Sequence, residues 1–407
     1  MRRVVITGMS GISALGHDWP TVEANLRAGR NKVQTISEWD DIAGLNTRLG
    51  APVMDFETPA HYPRKKLRSM GRVSVMSVRA SEVALEQAGL LGSDELINGN
   101  AGVSYGSCIG TGSEVPALTR VLRDRTTIDL NAATYLKTMT HTATVNIGLY
   151  FGMTGRIIPT ASACTSGSQG LGYAYEAIKY GMQDIMIAGG GEEFSVMPVA
   201  VFDTMFATSM RNDQPELSPR PFDRDRDGLV IGEGACSLIL EEYEHAKARG
   251  ANILGEIVGF GTNSDGAHVT EPAESTMAQA MRLALRDAGI TPEQIGYVNA
   301  HGTATAKGDV AETRATQTVL GAGKPISSLK SYIGHSLGAC GALEAWWTLE
   351  MLRNDWYAPT INLDNIDSAC GDLDYIIGAG REMQHEYAMS NNFAFGGVNT
   401  SLVIKRL

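Results

Sequence analysis

The stretch Ala84-Leu-Glu-Gln-Ala-Gly-Leu90 returns in the second part of the chain as Ala284-Leu-Arg-Asp-Ala-Gly-Ile290. Each copy closes a helical pattern. Met76, Ala80, Val83 and Ala84 share one face of the first, and Met277, Ala280, Met281, Ala284 and Leu285 share one face of the second. Downstream of each lies a short connector and a strand-like run, Gly102-Val-Ser-Tyr-Gly106 and Gly296-Tyr-Val-Asn-Ala300. Upstream lie two strand openings, Val4-Val-Ile-Thr-Gly8 and Glu256-Ile-Val-Gly259, in the same order. The chain therefore reads as two related halves, residues 1–252 and 253–407, the first longer and carrying insertions. Alternating strand and helix patterns make both halves α/β layers. Two copies are too few for a solenoid, so the halves are expected to pack as a pseudo-symmetric pair.

The bulk composition narrows the function classes. A chain of 407 residues, 43% hydrophobic and 19% charged, has material for a large globular core. Forty-six glycines, many in pairs and triplets, point to tight backbone at turns near a site. A net charge of −11 gives no general affinity for nucleic acid or an anionic membrane. The five cysteines (108, 164, 236, 340 and 370) contain no Cys-x-x-Cys pair. Neither a disulfide framework nor a zinc knuckle is expected, and a reducing compartment fits. Met1-Arg-Arg-Val-Val-Ile-Thr-Gly8 runs directly into a strand pattern with no signal-type apolar core, and nothing reaches a membrane span. The expected location is cytoplasmic.

Four stretches combine small residues with reactive side chains. In Pro159-Thr-Ala-Ser-Ala-Cys-Thr-Ser-Gly-Ser-Gln-Gly170, a strand-like lead and a helical exit place Cys164 on a sharp turn. The unpartnered N–H groups of a helix start favour a thiolate there, which makes Cys164 a candidate nucleophile; the alternative is a small buried turn residue. His301 stands just past a strand in Asn299-Ala-His-Gly-Thr-Ala-Thr305, and His335 opens a helix after Gly334. At such a helix start the dipole keeps an imidazole neutral. The fourth stretch, Ser390-Asn-Asn-Phe-Ala-Phe-Gly-Gly-Val-Asn399, sets two aromatics in a glycine turn. Taken singly, each His is more often structural; together they fall at strand ends of both halves, where α/β ligand sites gather. Histidines 17, 61, 141, 245, 268 and 385 lack this setting and read as structural. Arg220-Pro-Phe-Asp-Arg-Asp-Arg-Asp-Gly228 imitates a calcium loop, but Gly234 stands where the closing Glu belongs, so a salt-bridged turn is expected. Leu229-Val-Ile231 with Ser237-Leu-Ile-Leu240 reads as a hairpin, and 241–249 as a charged surface helix.

The set Ser162-Ala-Cys164, Gly189-Gly-Gly-Glu-Glu193, Arg220-Pro-Phe-Asp223, His301-Gly-Thr-Ala-Thr305, Gly334-His-Ser-Leu-Gly338 and Asn391-Asn-Phe-Ala-Phe-Gly-Gly397 resembles the beta-ketoacyl-acyl-carrier-protein synthases of the Cys-His-His branch. The likeness runs over the whole chain in order. It implies the thiolase fold, two α/β halves in a five-layer α-β-α-β-α sandwich, and usually a homodimer. It implies that Cys164 takes an acyl chain and that His301 and His335 assist decarboxylation of a malonyl thioester. The backbone N–H groups of Cys164 and Phe395 would form the oxyanion hole, with Lys330 and Glu312 as a supporting charged pair. Thr303 and Thr305 would hold a phosphopantetheine arm, Phe395 would gate an acyl tunnel, and Phe393, Ile109 and Phe202 would contact substrate. Arg64, Lys65 and Arg68 match the docking patch for the acidic acyl carrier protein. No resident cofactor or metal is implied, the substrates arriving on phosphopantetheine; a monovalent cation near Asn299, Glu344 and Asn391 is left open. The chain departs from the family pattern at Asn392, Ala394 and Val398, which touches substrate choice, suggests an aryl-polyene or polyketide-like role, and leaves room for a heterodimer with a Cys-lacking partner. A thiolase would need a second Cys where this chain has Phe393 and Phe395, and a non-catalytic chain-length-factor subunit would lack Cys164.

Overall fold

A computed structural model describes residues 1–407. The main strands of the first half are β1 (Val4–Ser13), β2 (Ala101–Gly106), β3 (Ile157–Thr160), β4 (Ile185–Glu192) and β5 (Gly234–Glu242). Those of the second half are β6 (Gly255–Ser264), β7 (Ile295–Asn299), β8 (Pro325–Ser327), β9 (Asp374–Tyr375), β10 (Tyr387–Ala394) and β11 (Val398–Lys405). They hydrogen-bond in the order β9-β8-β7-β10-β11-β6-β1-β5-β4-β2-β3. Outward from the middle, the first half runs β1-β5-β4-β2-β3 and the second β6-β11-β10-β7-β8. In both the successive pairings are antiparallel, antiparallel, parallel and parallel. The halves join where Val4, Val5 and Ile6 of β1 pair with Ile257, Glu256 and Gly255 of β6.

The helices complete five layers. Helices α1 (Arg72–Gln87) and α2 (Thr142–Phe151) cover the outer face of the first half. Helix α3 (Ser166–Lys179) and the later α6 (Cys340–Asn354) pack on each other and on strands of both halves, forming the middle layer. Helix α4 (Glu274–Ala288), with α5 (Ala306–Leu320) beside it, covers the second half. Strands β1 and β4 are buried along their whole length because helices lie on both faces. Helix α6 is buried nearly all round, Trp346 and Trp347 included, as a helix between the two halves of the sheet must be. No helix is long and apolar enough to cross a membrane.

The repeated heptapeptide has a physical cause. A Cβ on Gly8 would lie 2.1 Å from the Ala84 carbonyl oxygen and 3.1 Å from the Ala88 Cβ. A Cβ on Gly259 would lie 2.3 Å from the Ala284 carbonyl oxygen and 2.8 Å from the Ala288 Cβ. In each half a strand glycine presses on an outer helix, and only small residues fit on both sides.

Two expectations change. Ile231–Gly232 does not form a hairpin with β5; it pairs in parallel with Leu49–Ala51, since both edges of β5 are taken by β1 and β4. The segment 241–249 is not wholly a surface helix: Glu241 is buried at the end of β5, and the helix covers only Tyr243–Ala248. Glu241 accepts from Arg249 Nε at 2.6 Å and contacts His245 Nδ1 at 2.6 Å, which fastens that helix down. The 220–228 stretch is the expected salt-bridged turn. Arg220 meets Asp223 and Asp364, Arg226 meets Asp309 and Asp367, and buried Asp223 accepts the N–H groups of Asp225, Asp364 and Asn365.

Gly259→Ala is expected to destabilise the fold by about 3 kcal/mol, the upper range for overpacking, because the new methyl meets backbone that cannot swing away. Denaturant unfolding beside Gly250→Ala, where no atom lies within 4 Å and the φ of +70° alone costs about 1–2 kcal/mol, checks this; equal losses would contradict it.

Candidate active site

The turn that carries the nucleophile is held by its own polar residues. Strand β3 leads to a one-turn 3-10 segment, Ala163–Thr165, before α3 begins. Ala163 sits at φ +52°, a left-handed conformation that costs an L-residue about 1–2 kcal/mol. The Ser162 N–H donates to Ser166 Oγ at 3.0 Å, Ser166 Oγ–H to the Ala163 carbonyl at 2.7 Å, and Thr165 Oγ1–H to the Ser162 carbonyl at 2.8 Å. The Cys340 thiol, from the start of α6, donates to the Cys164 carbonyl at 3.3 Å. Cys164 is thereby fixed and buried, at the bottom of a cavity.

The imidazoles come from the second half. His301 follows β7, and the Glu312 carboxylate of α5 accepts the His301 and Gly302 N–H groups, both at 2.7 Å. His335 follows the short helix Lys330–Ile333 and Gly334, which takes φ +67°. Its N–H donates to the Val230 carbonyl at 2.7 Å. Its Nδ1 accepts the Leu337 N–H at 3.2 Å, so the ring proton resides on Nε2, which is buried without a partner. One donor atom from each of Cys164, His301 and His335 lies within 4.8 Å of the others. The two rings meet edge to face, 5.1 Å between centroids.

Burial and one cation set the protonation states. Lys330 is buried and paired with Glu344 of α6. Burial, then the Lys330 charge, holds both imidazoles well below the usual histidine range, so both are neutral at pH 7. His335 is neutral as expected, held so by burial and then by the Lys330 charge. The expected thiolate is not the resting form. Burial pushes the Cys164 thiol up to about 11, against the pull of Lys330 and of the Phe395 and Cys164 N–H groups. Both N–H groups act on the sulfur in the sense that favours its anion, as the pair expected to form an oxyanion hole would. Burial also pushes Glu312 up to about 8 and Asp309 to about 6.

A cavity of about 510 Å³ opens over Cys164, His301 and His335. Thr303 and Thr305 line it with their hydroxyls 3.0 Å apart. Phe395 and Phe202 stand against each other at 5.1 Å, and Phe393 lines the wall from within β10 rather than from the glycine turn. Ile109 is not on this lining; its N–H holds Glu192 instead. Lys330 pairs with Glu344, not Glu312, because Glu312 is engaged by backbone N–H groups. Arg64, Lys65 and Arg68 are exposed on and just after the helix Arg64–Leu67, outside the cavity. His268, expected to be structural, lines the cavity. Asn392, read from the sequence as a departure touching substrate choice, instead extends its amide to Glu344, His301 and Cys340 beside the reacting groups. The signal for Glu344 was a lone charge inside Ala342-Leu-Glu-Ala-Trp-Trp347, which demands a buried partner. Cys164, His301 and His335 are donors of the type zinc takes. Asn299 Oδ1 and Asn391 Oδ1, where a monovalent cation was left open, are buried without partners.

The comparisons with known proteins agree over the full length. The family models described as beta-ketoacyl synthase, N-terminal domain, and beta-ketoacyl synthase, C-terminal domain, match residues 1–246 and 254–364. The chain is 41% identical to 3-oxoacyl-[acyl-carrier-protein] synthase 2 of Vibrio cholerae, covering 100% of this chain and 99% of that protein. Among solved structures it resembles a beta-ketoacyl synthase from Burkholderia phymatum, with 58% identity, TM-score 0.99 and full coverage of both chains. It also resembles the ishigamide ketosynthase/chain length factor, with 32% identity, TM-score 0.91 and coverage of 100% and 99%.

A thiol near 11 has a pH signature. Alkylation of Cys164 by iodoacetamide should climb about tenfold per pH unit from pH 7 to 9, following the rising thiolate fraction. A plateau reached by pH 8 would contradict the burial argument.

Proposed function

The chain belongs to the beta-ketoacyl synthase family, and on that premise we propose how its residues carry out the decarboxylative condensation of a Cys164-bound acyl chain with malonyl-acyl-carrier protein. The observation that carries this is the convergence of one thiol from the first half and two neutral imidazoles from the second on one cavity.

In the first step the Cys164 sulfur attacks the acyl thioester of the carrier and expels the pantetheine thiol. The exchange is proton-neutral, since the thiol proton leaves on the pantetheine sulfur, so a resting thiolate is not required. The tetrahedral oxyanion sits between the Cys164 and Phe395 N–H groups, and Lys330 steadies the negative sulfur in passing. In the second step the malonyl carboxylate departs as carbon dioxide. The electron pair of the broken C–C bond becomes an enolate, whose oxygen accepts from the ring N–H groups of His301 and His335. Neutral imidazoles suit this task, because they donate without protonating the enolate outright. The enolate carbon attacks the Cys164 acyl carbonyl, the 3-ketoacyl product leaves on the carrier, and the Cys164 thiolate takes up one proton. The electrons come from the malonyl bond itself, so the chemistry asks for no resident cofactor or metal. Thr303 and Thr305 are assigned to the phosphopantetheine arm, a reading their hydroxyls on the cavity wall support.

Carrier-protein docking is assigned to Arg64, Lys65 and Arg68, an exposed basic run on a chain of net charge −11. The Vibrio relative's name specifies an acyl-carrier-protein substrate, and such carriers are acidic, so charge complementarity supports the assignment. A homodimer is proposed from the sheet edge. Strand β3 ends the sheet with a free edge, and Ile157 and Leu149 beside it are exposed, so a second copy can pair there. The ishigamide ketosynthase/chain length factor supports the alternative, a related chain lacking the Cys in the partner's place. The five free cysteines fit a cytoplasmic setting. Fatty acid elongation is the principal reading of pathway. An aryl-polyene or polyketide-like role is favoured by Asn392, Ala394 and Val398; primer profiling tests it, and saturated chains used best of all would count against it.

Cys164→Ala should abolish acyl uptake, read as loss of the mass increment after incubation with acyl carrier, while the melting curve stays near that of the parent. His301→Ala and His335→Ala should each slow malonyl decarboxylation about 10²–10³-fold, the usual loss for one oxyanion donor. Condensation surviving Cys164→Ala would overturn the assignment. Arg64→Glu with Lys65→Glu should raise KM for the carrier substrate roughly tenfold at low salt with kcat unchanged; an unchanged KM would remove the docking patch.

A further inference from the structure

The structure assigns to Asn392 a positioning role in the decarboxylation step: its amide fixes the ring proton of His301 on Nε2 and ties that imidazole to the Lys330–Glu344 pair. Asn392 lies in β10 and is fully buried, one residue before Phe393. Its Nδ2 donates to Glu344 Oε2 at 2.7 Å and lies 3.4 Å from His301 Nδ1. The amide orientation follows from charge. Glu344 is already the partner of Lys330, and turning Oδ1 toward it would set two acceptors 2.7 Å apart in a buried site. The nitrogen must face Glu344, and an NH₂ group has two hydrogens. One serves the carboxylate; of the two remaining neighbours, His301 Nδ1 at 3.4 Å is nearer and the better acceptor than Cys340 Sγ at 3.8 Å, so the other is directed at His301 Nδ1.

A donor at Nδ1 makes that nitrogen an acceptor and leaves the ring proton on Nε2. His335 reaches the same state by another route, through the Leu337 N–H on its Nδ1. Both histidines then present an N–H to the cavity. That is what an enolate oxygen requires, and neither could supply it in the other tautomer. The groups facing His301 are Cys164, Lys330, His335 and Asn392, with the centre of the Phe393 ring 6.3 Å from that of the imidazole. Among these Asn392 is the one that donates to Nδ1. A serine at this position would be too short to span Glu344 and the imidazole together.

This inference rests on His301 being a donor in decarboxylation, so its test reads the tautomer apart from the rate. Protein labelled with ¹⁵N-histidine is compared with Asn392→Ser and Asn392→Asp by ¹⁵N–¹H correlation spectra. In the parent, both His301 and His335 should show an unprotonated Nδ1. In Asn392→Ser, the His301 signals should move toward a mixture of tautomers while His335 keeps its own, and carbon dioxide release from malonyl carrier should fall about tenfold, one hydrogen bond's worth. Acylation of Cys164, followed by intact mass, should hold. In Asn392→Asp, a carboxylate beside Nδ1 attracts a proton there, so the decarboxylation pH profile should gain a new ionisation. Unchanged His301 signals in both variants would overturn the proposal. A shifted tautomer with an unchanged decarboxylation rate would instead count against His301 as the donor.

Discussion

The buried ion pair between Lys330 and Glu344 is the constraint around which the site is arranged. A lone ammonium in this interior would be several kcal/mol too costly to keep charged. Glu344, a carboxylate in the apolar first half of the helix that lies between the two halves, keeps it there. The charge then acts on every reacting group in reach. It lowers both imidazoles, which burial has already made weak bases, and it opposes the burial that raises the Cys164 thiol. A site that needs two neutral donors and a transient sulfur anion is served by one fixed cation.

The pseudo-symmetry explains why such different side chains meet. Strand β3 leads to α3 through the turn Ala163–Thr165, and β8 leads toward α6 through Leu337–Ala339. Both turns are one 3-10 turn long, and both open on a residue in the left-handed region, Ala163 at φ +52° and Leu337 at φ +47°. By chain position Gly338 stands where the second half repeats Cys164. It has no room for a side chain: a Cβ would come within 2.8 Å of Glu192 Oε2. One junction kept a nucleophile, the other became backbone packed against it, and His335 sits just ahead of the second. His301 follows β7, the counterpart of β2, so strand ends of both halves supply the chemistry.

Much of this was legible in the sequence, and the boundary between what was and was not is physical. The heptapeptide echo marked both outer helices because a strand glycine pressing on Ala-x-x-x-Ala restricts residue type in a way that survives as pattern. Cys164, His301 and His335 stood out because reactive groups sat among small residues at strand ends. Pairings that depend on a third dimension did not show. The partner of Lys330 is fourteen residues away on another helix, and although its apolar neighbours mark Glu344 as a charge in need of a buried partner, they do not say which cation it meets. The hairpin expected at 229–240 failed because strand pattern gives no pairing choice, and both edges of β5 were already occupied. The thiol was misjudged because helix N–H groups are visible in sequence while depth of burial is not. Asn392 showed only as a departure from pattern, since its role lies in reaching three groups on two other parts of the fold, Glu344 and Cys340 of α6 and His301 beyond β7.

The central claim is that the acyl group on Cys164 and the enolate are served by separate donors, backbone N–H groups for the first and imidazoles for the second. A crystal structure of the enzyme acylated on Cys164 tests this most directly. The acyl carbonyl oxygen should lie about 2.7–3.1 Å from both the Cys164 and Phe395 nitrogens, with both histidine Nε2 atoms left facing the open cavity. An acyl oxygen bound to His301 or His335, with the Phe395 N–H turned elsewhere, would contradict it.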